Sequence, residues 1–195
     1  ENQIIEYWES KYSDLGLENK LYKTSDNRLN LISTLKFSNN STSLIFNGHL
    51  DTNHIGNGWK TDPFRGEIIN NHIYGLGVSN MKASMAAMFN TAKILKNIGL
   101  NNGEIIFTSV LGELQGGVGT QTLLENGLKG DFFINGEPTD LNFMTIHAGT
   151  YSFTVNIKGE TRHLSKLDEA TDATLIMNKI LSELYSLDIS KNIEN

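Results

Sequence analysis

The sequence predicts an α/β protein: a doubly wound mixed sheet with helices on both faces, followed by the start of a second, α+β unit. Three observations carry this. From Ile4 to Asn135, short apolar runs bounded by turn residues alternate with stretches of helical periodicity. Polar segments rich in Gly, Asn and Asp follow the ends of several of those runs. After Thr139 the alternation stops, and two strand-like stretches precede one long helix. The expected domains are therefore residues 1–147 and 148–195.

Each element has its own signal. Ile4, Ile5, Trp8, Tyr12 and Leu15 recur at helical spacing, and Gly16 is a stop. Leu29–Phe37 and Ser43–Phe46 read as successive strands around the polar turn Ser38–Thr42. The chain then turns at Gly48 and presents His49 and Asp51 from the strand's end. Thr52–Pro63 is a long loop carrying Trp59, and Gly66–Gly75 reads as a hairpin turning at Asn70 and Asn71. Gly75–Asn80 opens a helix whose one face carries Met81, Met85, Met88, Phe89, Ala92 and Leu95. Gly103–Val110 reads as a buried strand, Thr122–Glu125 as a short helix, and Asp131–Asn135 as a strand ending in Gly-Glu-Pro-Thr139. Beyond it, Leu141–Ile146 and Tyr151–Ile157 look like neighbouring strands. A helix is expected over Glu169–Leu187, with Ala173, Ile176, Ile180, Leu181 and Leu184 aligned.

Composition narrows the function classes. The absence of cysteine removes disulfides, thiolate metal sites and cysteine nucleophiles together. A net charge of −6 with no basic run argues against nucleic acid as a partner. No apolar run approaches the roughly 20 residues of a membrane span, and the amphipathic opening is not a secretory signal. A soluble cytoplasmic protein is the expectation. Gly75-Leu-Gly77 follows a hairpin and lacks the third glycine of a dinucleotide loop, so it reads as a tight turn.

Candidate site residues lie at the ends of the expected strands and in the loops: His49, Asp51, Asn80, Glu113 and Glu137. In a doubly wound sheet such loops gather along one edge. An imidazole and a carboxylate two residues apart suit a metal site, because one ring nitrogen can bind while the carboxylate fixes the other. A lone His at a strand end is also a common packing residue.

Five segments taken together, Gly48-His-Leu-Asp-Thr52, Trp59-Lys-Thr-Asp-Pro-Phe64, Gly75-Leu-Gly-Val-Ser-Asn-Met-Lys82, Gly112-Glu-Leu-Gln-Gly-Gly-Val-Gly119 and Gly136-Glu-Pro-Thr139, resemble in order and spacing the zinc amidohydrolases of the M20 peptidase family. That family includes acetylornithine deacetylase, succinyl-diaminopimelate desuccinylase, aminoacylase-1 and carboxypeptidase G2. The resemblance implies a zinc-peptidase-like catalytic domain with an inserted lid and dimerisation domain. It assigns His49 and Glu137 to one zinc, Asp51 to orienting His49, and Glu113 to general base on a metal-bound water. His163, in Gly159-Glu-Thr-Arg-His-Leu-Ser165, matches the lid histidine that reaches across a homodimer to stabilise the oxyanion. A solvated His163 beside Arg162 is the other reading.

Three positions depart from the family. Asn80 stands where an Asp bridges two zinc ions, Leu76 replaces an Arg, and Leu114 replaces a Glu that binds the second ion. Two dications about 3.5–4 Å apart repel by roughly 17–19 kcal/mol at an effective dielectric near 20, and the bridging anions offset this. A neutral amide and an apolar side chain cannot, so one zinc is expected rather than two, with cobalt or manganese as substitutes. Asn80 also reads as an N-cap for the following helix. The family's last ligand, a histidine, has no counterpart before Asn195, so the resemblance implies a chain that stops within the lid. The expected function is metal-dependent hydrolysis of amide bonds in N-acyl amino acids or small peptides. The alternative is a non-catalytic relative whose degenerate metal site binds a small ligand or a protein partner.

Overall fold

The computed structural model describes residues 2–37, 42–147, 149 and 152–187. It packs as two units, Glu1–Met144 and Thr145–Asn195. In the first unit, α1 (Asn2–Asp14) buries Ile5, Trp8 and Tyr12 along one stripe and ends at Gly16, whose φ of 71° no other residue adopts as cheaply. The strands are β1 (Glu18–Lys23), β2 (Leu29–Lys36), β3 (Ser43–His49), β4 (Glu67–Ile69), β5 (His72–Tyr74), β6 (Glu104–Val110) and β7 (Phe132–Asn135). The helices are α2 (Ala83–Ile98), preceded by a π-helical turn Val78–Lys82, and α3 (Val118–Glu125).

Five strands form one sheet in the order β1-β2-β6-β3-β7. The β1/β2 and β2/β6 pairs are antiparallel, and β6/β3 and β3/β7 are parallel, which makes the sheet mixed as expected. Because β3, β6 and β7 run the same way, the loops that follow them leave from one edge. That edge receives His49, Glu113 and Glu137. A polar ladder braces it: Thr108 Oγ1 donates to Asn47 Oδ1 at 2.6 Å, and Asn47 Nδ2 donates to Asn135 Oδ1 at 3.0 Å.

Alternate residues of the sheet feed two apolar layers. Leu31, Leu35, Ile105 and Phe107 pack under α1 and α2 with Tyr12, Met85, Met88 and Ala92. Phe107 stacks on Tyr12 and on Phe46, with ring centroids 5.6 and 5.5 Å apart. On the other face Ile32, Ile45, Ile106 and Val110 meet Leu123 of α3 and Leu128. Helices therefore cover both faces. The hairpin β4/β5 turns at Asn70 and Asn71, both at positive φ.

Several boundaries differ from the sequence reading. β1 is absent from that reading, because Glu-Asn-Lys-Leu-Tyr-Lys has no clean alternation and is an edge strand held by pairing with β2. β3 does not end before Gly48 but continues through it to His49, paired with β6 along its whole length. α3 begins at Val118 rather than Thr122. The turn residues Ser38–Ser41 lie outside the described residues.

The strands expected at Leu141–Ile146 and Tyr151–Ile157 do not form among the described residues, Tyr151 lying outside them. Asp140 and Leu141 take positive φ, and Leu141 and Phe143 are exposed, so the apolar alternation meets no partner strand to accept its backbone hydrogen bonds. The second unit instead contains a 3₁₀ segment (Leu164–Glu169), an isolated antiparallel bridge between Glu160 and Thr171, and α4 (Ala173–Ser186). α4 starts later than Glu169 because the Asp172 carboxylate accepts the amides of Thr174 and Leu175 at 2.8 and 3.1 Å, a side-chain cap. Among the described residues, no helix is long and apolar enough to cross a membrane.

Candidate functional site

Gly48 lets the site close. A Cβ there would lie 2.6 Å from Met81 Cε and closer still to Met85 Sδ, so glycine lets these methionine side chains press onto the end of β3 as they stand. The next residue, His49, is buried, and its backbone N–H donates to Met81 Sδ at 3.2 Å. Its ring is held from both sides. Nδ1 faces the Asp51 backbone oxygen at 3.0 Å and Asp51 Oδ1 at 3.5 Å. Nε2 faces Asn80 Oδ1 at 2.8 Å and Glu137 Oε1 at 3.5 Å.

Asn80 does not cap a helix, contrary to one expectation. It sits inside the π-turn with φ −122° and ψ 98°, and the residue before α2 is Lys82, which makes no side-chain cap. The amide has a stronger partner in the imidazole. Asp51, also buried, accepts the backbone amides of Glu113 and Leu114 at 3.4 Å each. Glu113 itself is exposed, and its charge is close enough to raise the pKa of Glu137. Gly136 brings Glu137 in from β7, because a Cβ at 136 would run into Met88, Met81 and Ser84.

The electrostatics follow from this packing. Burial opposes a charge on His49, but hydrogen bonds to Asp51 and Asn80 and the Glu137 charge outweigh it and lift the pKa to about 9. Burial likewise opposes charge on Asp51. The His49 hydrogen bond and the amides of Glu113 and Leu114 win there, and hold it at about 2. Glu137 is raised by burial, with His49 working against the shift. An ion bound at Nε2 would displace any proton there.

His49 Nε2, Glu137 Oε1 and Asn80 Oδ1 form a small convergent donor set of one imidazole, one carboxylate and one amide oxygen. These donor types suit a divalent cation. They do not fit a bridged pair. Asn80 is neutral and Leu114 is apolar and 43% exposed. Among the described residues no group of three or more His, Cys, Asp or Glu could hold a metal, so the third donor of even a single-ion set is the Asn80 amide. In the second unit, exposed His163 pairs its Nδ1 with Ser165 Oγ at 3.0 Å and accepts the Ser165 amide at 3.3 Å, while Arg162 pairs with Glu160.

Two residues at the site were absent from the sequence reading as site residues. Met81, read as core, is fully buried and touches the His49 backbone. Lys82 is half-buried, and desolvation lowers its pKa against the pull of Asp51. The available signal was their position, immediately after Asn80.

The sequence matches peptidase family M20/M25/M40 over residues 45–193. Acetylornithine deacetylase of Buchnera aphidicola subsp. Schizaphis graminum is 26% identical over 191 residues, covering 95% of this chain and 49% of the relative. A probable succinyl-diaminopimelate desuccinylase of Staphylococcus epidermidis is 28% identical over 189 residues, covering 94% of this chain and 46% of the relative. The chain thus spans about half the length of the curated relatives it matches. Among solved structures, a tripeptidase from Staphylococcus aureus superposes with a TM-score of 0.64 at 21% identity, over 92% of this chain and 50% of that one. An M20 family metallo-carboxypeptidase from Sulfolobus solfataricus gives 0.60 at 26% identity, over 67% and 31%. The family match takes in β3 from Ile45, the π-turn, the turn after β6 and the end of β7, and on that match this chain belongs to peptidase family M20/M25/M40.

Proposed function

We propose that the full-length protein is a metal-dependent hydrolase of amide bonds in N-acyl amino acids or small peptides, of the deacylase or carboxypeptidase type. The observation that carries this is the convergence of His49 Nε2, Asn80 Oδ1 and Glu137 Oε1 beside the turn that bears Glu113. One divalent ion, zinc with cobalt or manganese as substitutes, would be held by His49 and Glu137 with Asn80 as a weaker donor. When bound it supplies the charge that polarises the scissile carbonyl and acidifies the nucleophilic water.

The chain's own groups do the rest. Glu113 takes a proton from the attacking water and returns it to the leaving amine, a role worth about 10²- to 10⁴-fold in rate. Asp51 keeps Nδ1 of His49 engaged, so that Nε2 is the nitrogen left for the site. Residues 1–147 act as the catalytic portion and 148–195 as the beginning of a lid. The lid would pair two copies and bring His163 to the partner's site as an oxyanion donor. A cytoplasmic location belongs to the same proposal. Replacing Glu113 with Gln tests it: hydrolysis of N-acyl amino acids and small peptides disappears while the circular dichroism spectrum stays unchanged. Unaltered turnover in that variant removes Glu113 from the chemistry.

A second reading is favoured by Asn80 and Leu114, the two losses at the site's other half: a non-catalytic family member that binds a small ligand or protein partner. Restoring Asp at 80 and Glu at 114 separates the two. Gain of metal and deacylase activity marks a weakened hydrolase; no gain marks a repurposed site.

A further inference from the structure

We infer that Asp51 is the positioning residue for Glu113: its carboxylate anchors the turn that carries the general base, as well as facing the His49 ring. The inference rests on the hydrolase reading for its catalytic meaning, but its structural content stands apart from activity.

Four amides of that turn close locally. The amides of Gln115 and Val118 close onto the Gly112 carbonyl, and those of Gly116 and Gly117 onto the Glu113 carbonyl. The amides of Glu113 and Leu114 instead donate out of the turn, to Asp51 Oδ1 and Oδ2 respectively. Both carboxylate oxygens are thereby committed to consecutive amides, with Oδ1 also 3.5 Å from His49 Nδ1. A buried anion accepting two backbone N–H groups makes a stronger tie than a neutral acceptor would.

Two further contacts hold the rest of the turn. Asn30 Oδ1, fully buried on β2, accepts the Leu111 amide at 2.9 Å, and Arg28 Nη1 donates to Gln115 Oε1. These two contacts are made at Leu111 and Gln115. Asp51 links the Glu113 backbone to the imidazole, so one side chain bears on the spacing between a metal donor and the base. This also gives Leu114 a use that needs no carboxylate, because its backbone amide supplies the second half of the anchor.

The test is residue-resolved hydrogen exchange of the full-length protein, wild type and Asp51→Asn, with turnover measured alongside. In the wild type, the Glu113 and Leu114 amides exchange about tenfold or more slowly than those of the exposed loop Asn57–Lys60. In Asp51→Asn that protection drops by about tenfold, while Ile106–Ser109 in β6 keep theirs, and kcat falls with KM little changed. Asp51→Glu, which keeps the charge on a longer arm, recovers part of both. Wild-type amides at 113 and 114 that exchange as fast as the loop overturn the inference without any variant. So does Asp51→Asn with undiminished protection. Asp51-dependent protection in a protein that hydrolyses no amide retains the anchor and sinks the hydrolase reading instead.

Discussion

The two halves of the site are built to different standards. On the β3–β7 side, His49 and Glu137 keep donors that suit a metal, with His49 held by Asp51 and Asp51 by the amides of Glu113 and Leu114. On the other side, Asn80 offers a neutral oxygen and Leu114 a partly exposed aliphatic chain. The backbone is sound on both sides, since the π-turn is clamped by Met81 against His49 and the turn after β6 by Asp51. What differs is charge. A fold can hold its loops in place while losing the anions that a second cation requires, because packing and polar anchors set loop position, and side-chain chemistry sets occupancy.

The largest effect is expected at His49. His49→Ala removes the only imidazole in the donor set, so tightly held zinc in the full-length protein is expected to fall from about one ion per chain to none by elemental analysis. Retained zinc would place the metal elsewhere. The reverse experiment sharpens the contrast. Asn80→Asp with Leu114→Glu restores two anions beside a single-ion site, and stoichiometry should rise from about one toward two. A value fixed at one would mean that more than these side chains separates the halves.

The smallest effect concerns the strand that carries Glu137. Asp131 Oδ2 accepts both the amide and the hydroxyl of Ser43, at 2.8 and 2.9 Å, which staples β7 to β3 across 88 residues of chain. Those bonds lower the Asp131 pKa, so the stabilisation is present above the unfolded value of about 3.9 and is lost as pH falls through the lower folded value. Asp131→Asn should therefore melt earlier than wild type at pH 7. The gap should close below about pH 4, which thermal melts at both pH values would record.

Much of this was legible in the residues, for identifiable reasons. The strands at 29–36 and 104–110 are largely buried and rich in Leu, Ile and Phe, so their pattern and their environment agree. The Asn70-Asn71 turn has a local cause in left-handed backbone. β1 was hidden because an edge strand answers to its neighbour rather than to its own composition. Leu141–Ile146 and residues 152–157 failed in the opposite sense, apolar stretches without a partner strand among the described residues. At the site, His49, Asp51 and Glu137 were visible as types and positions. Of the two readings of Asn80, the N-cap failed because its side chain meets His49, 31 residues away at the end of another strand.

The place of β6 between β2 and β3 has a consequence for how the chain is made. β2 and β3 are consecutive in sequence, yet neither touches the other in the sheet; each pairs with a strand that is synthesised only later. At roughly 5–20 residues per second, a ribosome takes on the order of 3–12 s to supply the roughly 60 residues between the end of β3 and the end of β6. For that interval the nascent chain carries two apolar strands with open edges, and chaperone engagement should be concentrated there.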